Sequence, residues 1–172
     1  KCMGLPVGRL VCASNANDVL TEFLTTGRYD RRRPFYKTTS PSMDILVSSN
    51  LERLLYLLSG DADYVASLMA QLSEQGWYQG SDTLLAKLQE NFGCGCCDDA
   101  GAAKVIGELW REQRYLCDPH TAVAWAVAQE QTGDVPMVVL STASPYKFPA
   151  AVLAALGEEG GGEELAMMEQ RH

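Results

Sequence analysis

Two short apolar segments stand on either side of a long helical stretch. Residues 7–13 read V-G-R-L-V-C-A and residues 136–140 read P-M-V-V-L, patterns typical of parallel strands that are buried on both faces. Between them, over residues 48–130, apolar side chains recur mainly at helical spacing. The sequence therefore predicts an α/β fold in which a small parallel sheet, built from segments 7–13 and 136–142, is outweighed by helices.

Turn and cap residues suggest where the other elements begin and end. Residues 1–27 are predicted to contain a strand and then a helix, because Gly27 can end a helix in the left-handed conformation. A last helix is predicted over 150–156, and residues 157–172 are rich in glycine and glutamate, which favours an acidic tail. Since the first residue is Lys1 and not methionine, we expect the chain to be processed or to be part of a longer protein.

Charge and composition restrict the classes of partner. The 14 lysines and arginines against 22 aspartates and glutamates give a net charge of −8, which argues against a dedicated nucleic-acid or anionic-membrane binder. No apolar run reaches the roughly 18 residues of a spanning helix, and no signal-peptide pattern opens the sequence. Six cysteines are too few for a disulfide scaffold. We therefore expect no nucleic-acid or membrane partner, and a cytoplasmic location.

Both predicted strands end in a polar turn. Asn15 follows the first strand, and Ser141 and Thr142 follow the second. Ligands of open α/β sheets bind outside the carboxyl ends of the strands, so a site is expected at these turns. Hydroxyl and amide groups can orient a ligand but supply no nucleophile unaided. Ordinary turn and cap chemistry remains the alternative explanation for the same residues.

A cysteine-rich stretch is the other conspicuous feature. Residues 94–97 read C-G-C-C and, with Cys117 or His120, could form a tetrahedral zinc site. Adjacent cysteines rarely converge on one ion, so the stretch is interpreted as a loop of small residues and no metal site is predicted. The sequence contains no G-x-S-x-G motif, so a catalytic triad that pairs His120 with such a serine is not supported. It also contains no phosphate-binding glycine loop. Residues 118–121 (D-P-H-T) are interpreted as a helix start whose side chains shape a pocket.

Six sequence blocks occur in a fixed order along the chain. They read K-C-M-G-L-P-V (1–7), A-S-N-A-N-D-V-L (13–20), T-S-P-S-M-D-I (39–45), S-N-L-E-R-L (49–54), D-P-H-T-A-V (118–123) and S-T-A-S-P-Y-K-F (141–148). Together they resemble the C-terminal part of threonine synthases, pyridoxal-phosphate enzymes of the tryptophan-synthase-β fold type (fold type II). The resemblance implies a lyase of threonine biosynthesis, which converts O-phospho-L-homoserine and water to L-threonine and phosphate. It assigns residues 1–156 to the C-terminal portion of that enzyme.

The resemblance also implies that part of the machinery lies elsewhere. The family's cofactor-bearing lysine stands in a Ser-Phe-Lys-Asp type segment, and its glycine-rich phosphate loop lies just before the G-L-P block; neither is present here. Covalent amine chemistry needs a buried lysine beside the cofactor, so no catalytic residue is expected in this chain and pyridoxal phosphate is not expected to bind it alone. The expected partners are the N-terminal portion of the same enzyme, the small-molecule substrate and, through exposed apolar surface, a second copy.

Individual residues take roles from the same resemblance. The implied cofactor-side residues are Thr142, which would face the pyridine nitrogen, Ser141 and Asn15. The implied substrate-side residues are Ser40, Met43, Asp44, Asn50 and Lys147, the last facing phosphate. Ser144 and Tyr146 depart from the family pattern, which usually has His and Ala at these positions. A non-catalytic α/β interaction module derived from the same fold remains the alternative function.

Overall fold

The computed structural model describes residues 3–131, 133–158, 166 and 168, and helices dominate them. The strands are β1 (Leu10–Ser14), β2 (Arg28–Asp30), β3 (Trp77–Gln79) and β4 (Phe92–Cys96). The α-helices are α1 (Val19–Thr26), α2 (Leu51–Ser59), α3 (Ala62–Gln75), α4 (Asp82–Asn91), α5 (Asp99–Gln113), α6 (Pro119–Gln129) and α7 (Pro149–Ala155). Two 3-10 turns cover Pro41–Met43 and Pro145–Lys147. The predicted α/β class with a small parallel sheet is confirmed, while most of the predicted tail (157–172) lies outside the described residues.

The parallel sheet has a different second strand from the one expected. β1 pairs in parallel with β4, with Leu10 opposite Phe92 and Ser14 opposite Cys96. Residues 136–142, which the pattern assigned to this sheet, form no strand, and Val138 and Leu140 are 77% and 73% exposed. The prediction is corrected: β1 pairs with β4, and segment 136–142, which has no neighbouring strand among the described residues to take its backbone hydrogen bonds, forms no strand.

The stretch interpreted as a loop of small residues supplies β4. Its glycines reveal why small residues stand there: a Cβ on Gly95 would lie 2.8 Å from Cγ1 of Val127, so α6 packs directly on the strand backbone. The predicted helical region 48–130 thus contains two strands, β3 and β4, that helical periodicity did not indicate. β3 pairs antiparallel with β2, which places Tyr29 opposite Tyr78.

Two hydrophobic cores flank the parallel sheet. In the first core, Phe23 makes edge contacts with Tyr29 and Tyr78, whose rings stack with centroids 5.2 Å apart. The second core is formed largely by α5, α6 and α7, with Ile106 and Val123 among its buried members. Alternate residues of the sheet face the two cores, because successive side chains of a strand point to opposite sides. The carboxyl end of β1 therefore lies between the two cores.

Cap residues set where several helices begin and end. The carboxylates of Asp61 and Asp98 accept backbone N–H groups at the starts of α3 and α5, and Ser81 does the same for α4. Gly27 ends α1 with a φ of 73°, as its sequence position predicted. None of the helices in the described residues combines the length and apolarity that crossing a membrane requires.

Candidate functional site

The side chain of Asn15 is buried at the carboxyl end of β1. Its Nδ2 lies 2.7 Å from Thr38 Oγ1, 3.0 Å from Ser40 Oγ and 2.7 Å from Asp44 Oδ1. Its Oδ1 accepts both the backbone N–H and the Nδ2 of Asn17, at 2.9 and 3.1 Å. We call these residues (Asn15, Asn17, Thr38, Ser40 and Asp44) the Asn15 hub.

Asp44 is the acceptor that closes the Asn15 hub. Besides Asn15, the Thr38 hydroxyl donates to its Oδ1 at 2.7 Å and Asn17 Nδ2 donates at 3.1 Å. Its Oδ2 accepts the backbone N–H of Thr38 at 3.0 Å. Both oxygens are thus engaged by protein donors, and the carboxylate fixes the loop that connects β2 to the turn Pro41–Met43. The hub residues thus hold one another in place.

A second buried network begins at the start of α6. Asp118 Oδ1 accepts the backbone N–H groups of His120, at 2.9 Å, and Thr121, at 3.4 Å, which caps the helix. The same oxygen lies 2.9 Å from His120 Nδ1, and the Thr121 hydroxyl donates to Oδ2. We call Asp118, His120 and Thr121 the Asp118 bridge.

The other ring nitrogen of His120 reaches a different part of the chain. Its Nε2 accepts the backbone N–H of Ser42 at 3.2 Å, and its ring packs against Phe148 with centroids 4.7 Å apart. A backbone N–H can only donate, so Nε2 carries no proton. The ring hydrogen therefore sits on Nδ1 and is donated to Asp118, which makes His120 a neutral imidazole with a fixed tautomer.

The carboxyl group of Asp118 stays ionised although it is buried. Burial raises its pKa, but hydrogen bonds from the Thr121 hydroxyl, the His120 ring and the two backbone N–H groups outweigh burial and hold the pKa below its usual value. The Asp118 bridge therefore combines a charged acceptor with a neutral histidine.

The bridge ends at one of the predicted cofactor-side residues. Thr121 Oγ1 lies 3.3 Å from Ser141 Oγ, and the hydroxyl of Tyr115 lies 3.4 Å from the same atom. Thr142, the next residue, is exposed. The bridge thus connects the turn Pro41–Met43 to the turn that carries Ser141 and Thr142.

The remaining predicted site residues lie in different surroundings. Met43 is half-buried and packs against the second core. Asn50 is exposed at the start of α2, where Arg53 donates to its side chain, and Lys147 is exposed in the turn Pro145–Lys147. The structure thus groups Asn15, Ser40 and Asp44 directly. Within the described part of the chain, no three His, Cys, Asp or Glu side chains converge as metal ligands would.

Sequence reasoning assigned the start of α6 to a pocket but missed the connection it makes. The available signal was the D-P-H-T spacing. An acid at the cap faces the second and third helical residues, which here are His120 and Thr121, so both side chains can reach the carboxylate of Asp118. The contact between His120 and Ser42 carries no sequence signal, since it depends on how the two elements pack.

Comparisons with known proteins agree on one family. The family model described as "Threonine synthase, C-terminal" matches residues 121–172. "Threonine synthase-like 1" of Macaca fascicularis is 43% identical over 159 residues, covering 91% of this chain and 21% of the relative. The threonine synthase of Pseudomonas aeruginosa is 40% identical over 153 residues, covering 87% of this chain and 32% of the relative.

The fold comparison gives the same result. The crystal structure of a threonine synthase from Brucella melitensis with bound pyridoxal phosphate superposes with a TM-score of 0.88 at 41% identity. That superposition covers 97% of this chain and 37% of the other. The chain thus spans between a fifth and two fifths of the relatives' length. In sequence and in fold, the chain is similar to a C-terminal part of threonine synthases.

Proposed function

We propose that this protein acts as a threonine synthase, a cytoplasmic pyridoxal-phosphate enzyme that converts O-phospho-L-homoserine and water to L-threonine and phosphate. Residues 1–156 would form one wall of its cleft. The observation that supports this most strongly is the meeting of two polar turns through the Asp118 bridge, in a chain whose fold matches a pyridoxal-phosphate-bound threonine synthase.

The residues of the second turn suit this cofactor. Ser141 and Thr142 present neutral hydroxyl groups, and Ser141 is within hydrogen-bond distance of Thr121. A neutral hydroxyl is a fitting partner for an unprotonated pyridine nitrogen, whereas a carboxylate would hold that nitrogen protonated. Asp118 is directed to His120 and Thr121 and so does not face the turn. Thr142 would hold the ring nitrogen, and the bound cofactor would supply an electron sink.

The chain's own side chains would position the substrate. The Asn15 hub fixes the turn Pro41–Met43, so that Ser40 and Met43 keep the substrate-side wall in place. Lys147 is exposed just beyond Thr142, and its positive charge could attract the substrate phosphate.

The cofactor-bearing lysine is assigned to the N-terminal portion of the enzyme. Among the described lysines, Lys87 donates to the carbonyl of Leu58 at 2.7 Å and Lys104 pairs with Glu108 at 3.8 Å. Lys37 and Lys147 are exposed, and none of the four belongs to the Asn15 hub or the Asp118 bridge. We therefore infer that the chain alone is inactive and that its partner is the N-terminal portion.

The direct test joins this chain to the N-terminal portion of the Pseudomonas aeruginosa enzyme and measures phosphate release from O-phospho-L-homoserine. We expect the chimera to release phosphate, Thr142→Ser to keep most of the activity, and Thr142→Ala to lose at least about tenfold, since one hydrogen bond to a reacting system is worth about 1.4 kcal/mol or more. A chimera that binds pyridoxal phosphate, as judged by its absorbance, yet releases no phosphate would contradict the proposal.

The chain alone offers a second test. After incubation with pyridoxal phosphate and reduction with borohydride, we expect no single lysine to be labelled stoichiometrically. Stoichiometric labelling of one lysine, located by peptide mass spectrometry, would show that the chain carries the cofactor lysine itself.

The exposed apolar segment 135–140 supports a partner proposal. Val135, Val138 and Leu140 are each more than 70% exposed, which is unusual for three neighbouring aliphatic residues. We propose that the N-terminal portion covers this segment and that, without it, the chain associates with a second copy. Sedimentation velocity on the chain should show a dimer that Val138→Ser weakens; a monomer at every concentration would exclude self-association.

A further inference from the structure

We propose that Asp118, His120 and Thr121 are positioning residues, whose task is to hold the turn Pro41–Met43 and the turn of Ser141 and Thr142 in one fixed arrangement. The inference rests on the proposed function only in treating these two turns as walls of the site. The Asp118 bridge ends at the Ser42 backbone N–H on one side and at the Ser141 hydroxyl on the other.

The hydrogen bonds of the bridge exceed what a helix start requires. In α4, Ser81 caps the helix by accepting one backbone N–H, that of Leu84. Asp118 accepts two backbone N–H groups of α6 and, in addition, the His120 ring and the Thr121 hydroxyl. These two side-chain bonds are not needed for capping. They orient the histidine and threonine side chains, each of which reaches another element.

The directions of the hydrogen bonds that the His120 ring makes are fixed. Asp118 is an ionised acceptor, His120 Nδ1 donates to it, and His120 Nε2 accepts from Ser42. Asp118, at the start of α6, is the charged group that contacts the His120 ring. From other elements, the Ser42 backbone and the Phe148 ring pack against it. A hydrogen on Nε2 would point at the Ser42 N–H, so only the Nδ1–H tautomer keeps both contacts.

The burial of His120 supports a positioning role. His120 is 7% exposed, and its ring nitrogen shields the N–H of Ser42, an exposed residue, through a partly buried hydrogen bond, so losing this acceptor would open the Ser42 N–H to exchange with water. Removing the imidazole would leave both the Asp118 carboxylate and the Ser42 N–H short of a partner. The effect should therefore appear at Ser42 and Ser141, on both sides of α6, and not only within the helix.

The test is nuclear magnetic resonance on the full chain, comparing wild type with His120→Phe and His120→Gln. The phenylalanine keeps a ring but has no acceptor, while the glutamine oxygen can accept from Ser42 and its amide can donate to Asp118. In the wild type we expect the ring ¹⁵N shifts to show a protonated Nδ1 and an unprotonated Nε2. In His120→Phe we expect amide shift changes at Ser42 and Ser141 and at least tenfold faster exchange of the Ser42 amide; His120→Gln should reverse most of both.

Ser81→Ala is the matched control, because it weakens a cap in the other core without touching the bridge. It should destabilise the chain but leave the Ser42 and Ser141 shifts unchanged. The proposal is overturned if the wild-type ring carries its hydrogen on Nε2, if His120→Phe leaves both turns unchanged, or if His120→Gln behaves like His120→Phe. None of these readouts depends on catalysis, so a failed chimera assay would bear on the proposed function alone.

Discussion

The Asn15 hub and the Asp118 bridge are both buried polar networks, but they end differently. The members of the hub are densely cross-linked, since Asp44 accepts from Asn15, Asn17 and Thr38, and Asn17 in addition exchanges two hydrogen bonds with the Tyr36 backbone. The bridge is open, since its outer contacts are made with Ser42 and Ser141, which belong to other elements. A closed, cross-linked network holds one loop, here residues 38–44, against the end of β1, whereas an open one couples two turns that lie on either side of it.

The largest effect is expected from breaking the hub at Asp44. Asp44→Ala leaves the amides of Asn15 and Asn17 and both donors of Thr38 without their shared acceptor. Because hydrogen bonds to a charged group are each worth about 1.5–3 kcal/mol, we expect the free energy of unfolding to fall by about 3 kcal/mol. Urea denaturation measures this, with Asp61→Ala as the control that removes a simple helix cap and costs about 1 kcal/mol. Equal losses in the two variants would contradict the closed-network description.

The bridge should lose stability in acid, and Asp118→Asn tests this. The folded-state pKa of Asp118 is lowered, so its contribution is fully present above the ordinary carboxyl value of 3.8 and is lost as the pH falls below it. At pH 7 the asparagine variant should be about 2 kcal/mol less stable, because one charged acceptor becomes neutral. Between pH 4 and 2 its stability should fall less steeply than that of the wild type. Asp30, whose pKa is also lowered by hydrogen bonds from Arg32 and Arg28, contributes to the slope that remains.

A buried hydroxyl outside both networks sharpens the contrast. Tyr78 is fully buried, and its hydroxyl has no hydrogen-bond partner among the described residues. Leaving such a group unpaired costs about 1–3 kcal/mol, so Tyr78→Phe should raise the free energy of unfolding by about 1 kcal/mol. Thermal denaturation compared with Tyr29→Phe, which loses bonds to Leu46 and Ser48, provides the check. A destabilised Tyr78→Phe would mean that the hydroxyl is paired in solution.

The smallest effect is expected at the exposed end of the bridge. Ser141→Ala removes one contact of an exposed side chain and should change the free energy of unfolding by less than about 0.5 kcal/mol. It should nevertheless shift the Thr121 and Thr142 amide resonances. A loss above 1 kcal/mol would place Ser141 inside a closed network like the hub.

The sequence predicted the class of fold better than its connections. The apolar pattern of residues 7–13 indicated a parallel strand, which the structure has at Leu10–Ser14 with Leu10 exposed and not buried on both faces. The rule that ligand sites follow strand ends directed attention to Asn15. The strand predicted from the same apolar pattern over 136–142 was wrong, because a strand also needs a neighbouring strand to take its backbone hydrogen bonds. The apolar pattern did not predict β4, because Gly93 and Gly95 have no apolar side chains and instead allow neighbouring side chains to pack close to the strand backbone. Hydrogen bonds between distant elements, such as that of His120 to Ser42, depend on packing that no local pattern contains.

The pairing of β1 with β4 also bears on how the chain folds. Leu10 can pair with Phe92 only after the intervening chain, from α1 to α4, has folded so that the two strands lie side by side. Helices form from local contacts, whereas closing a long loop costs chain entropy before any strand bond is made, and non-local pairing is correspondingly slow. Refolding should therefore show helical circular dichroism appearing ahead of the burial of Asn15 and His120. The wall of the proposed site would be the last part of this chain to take shape.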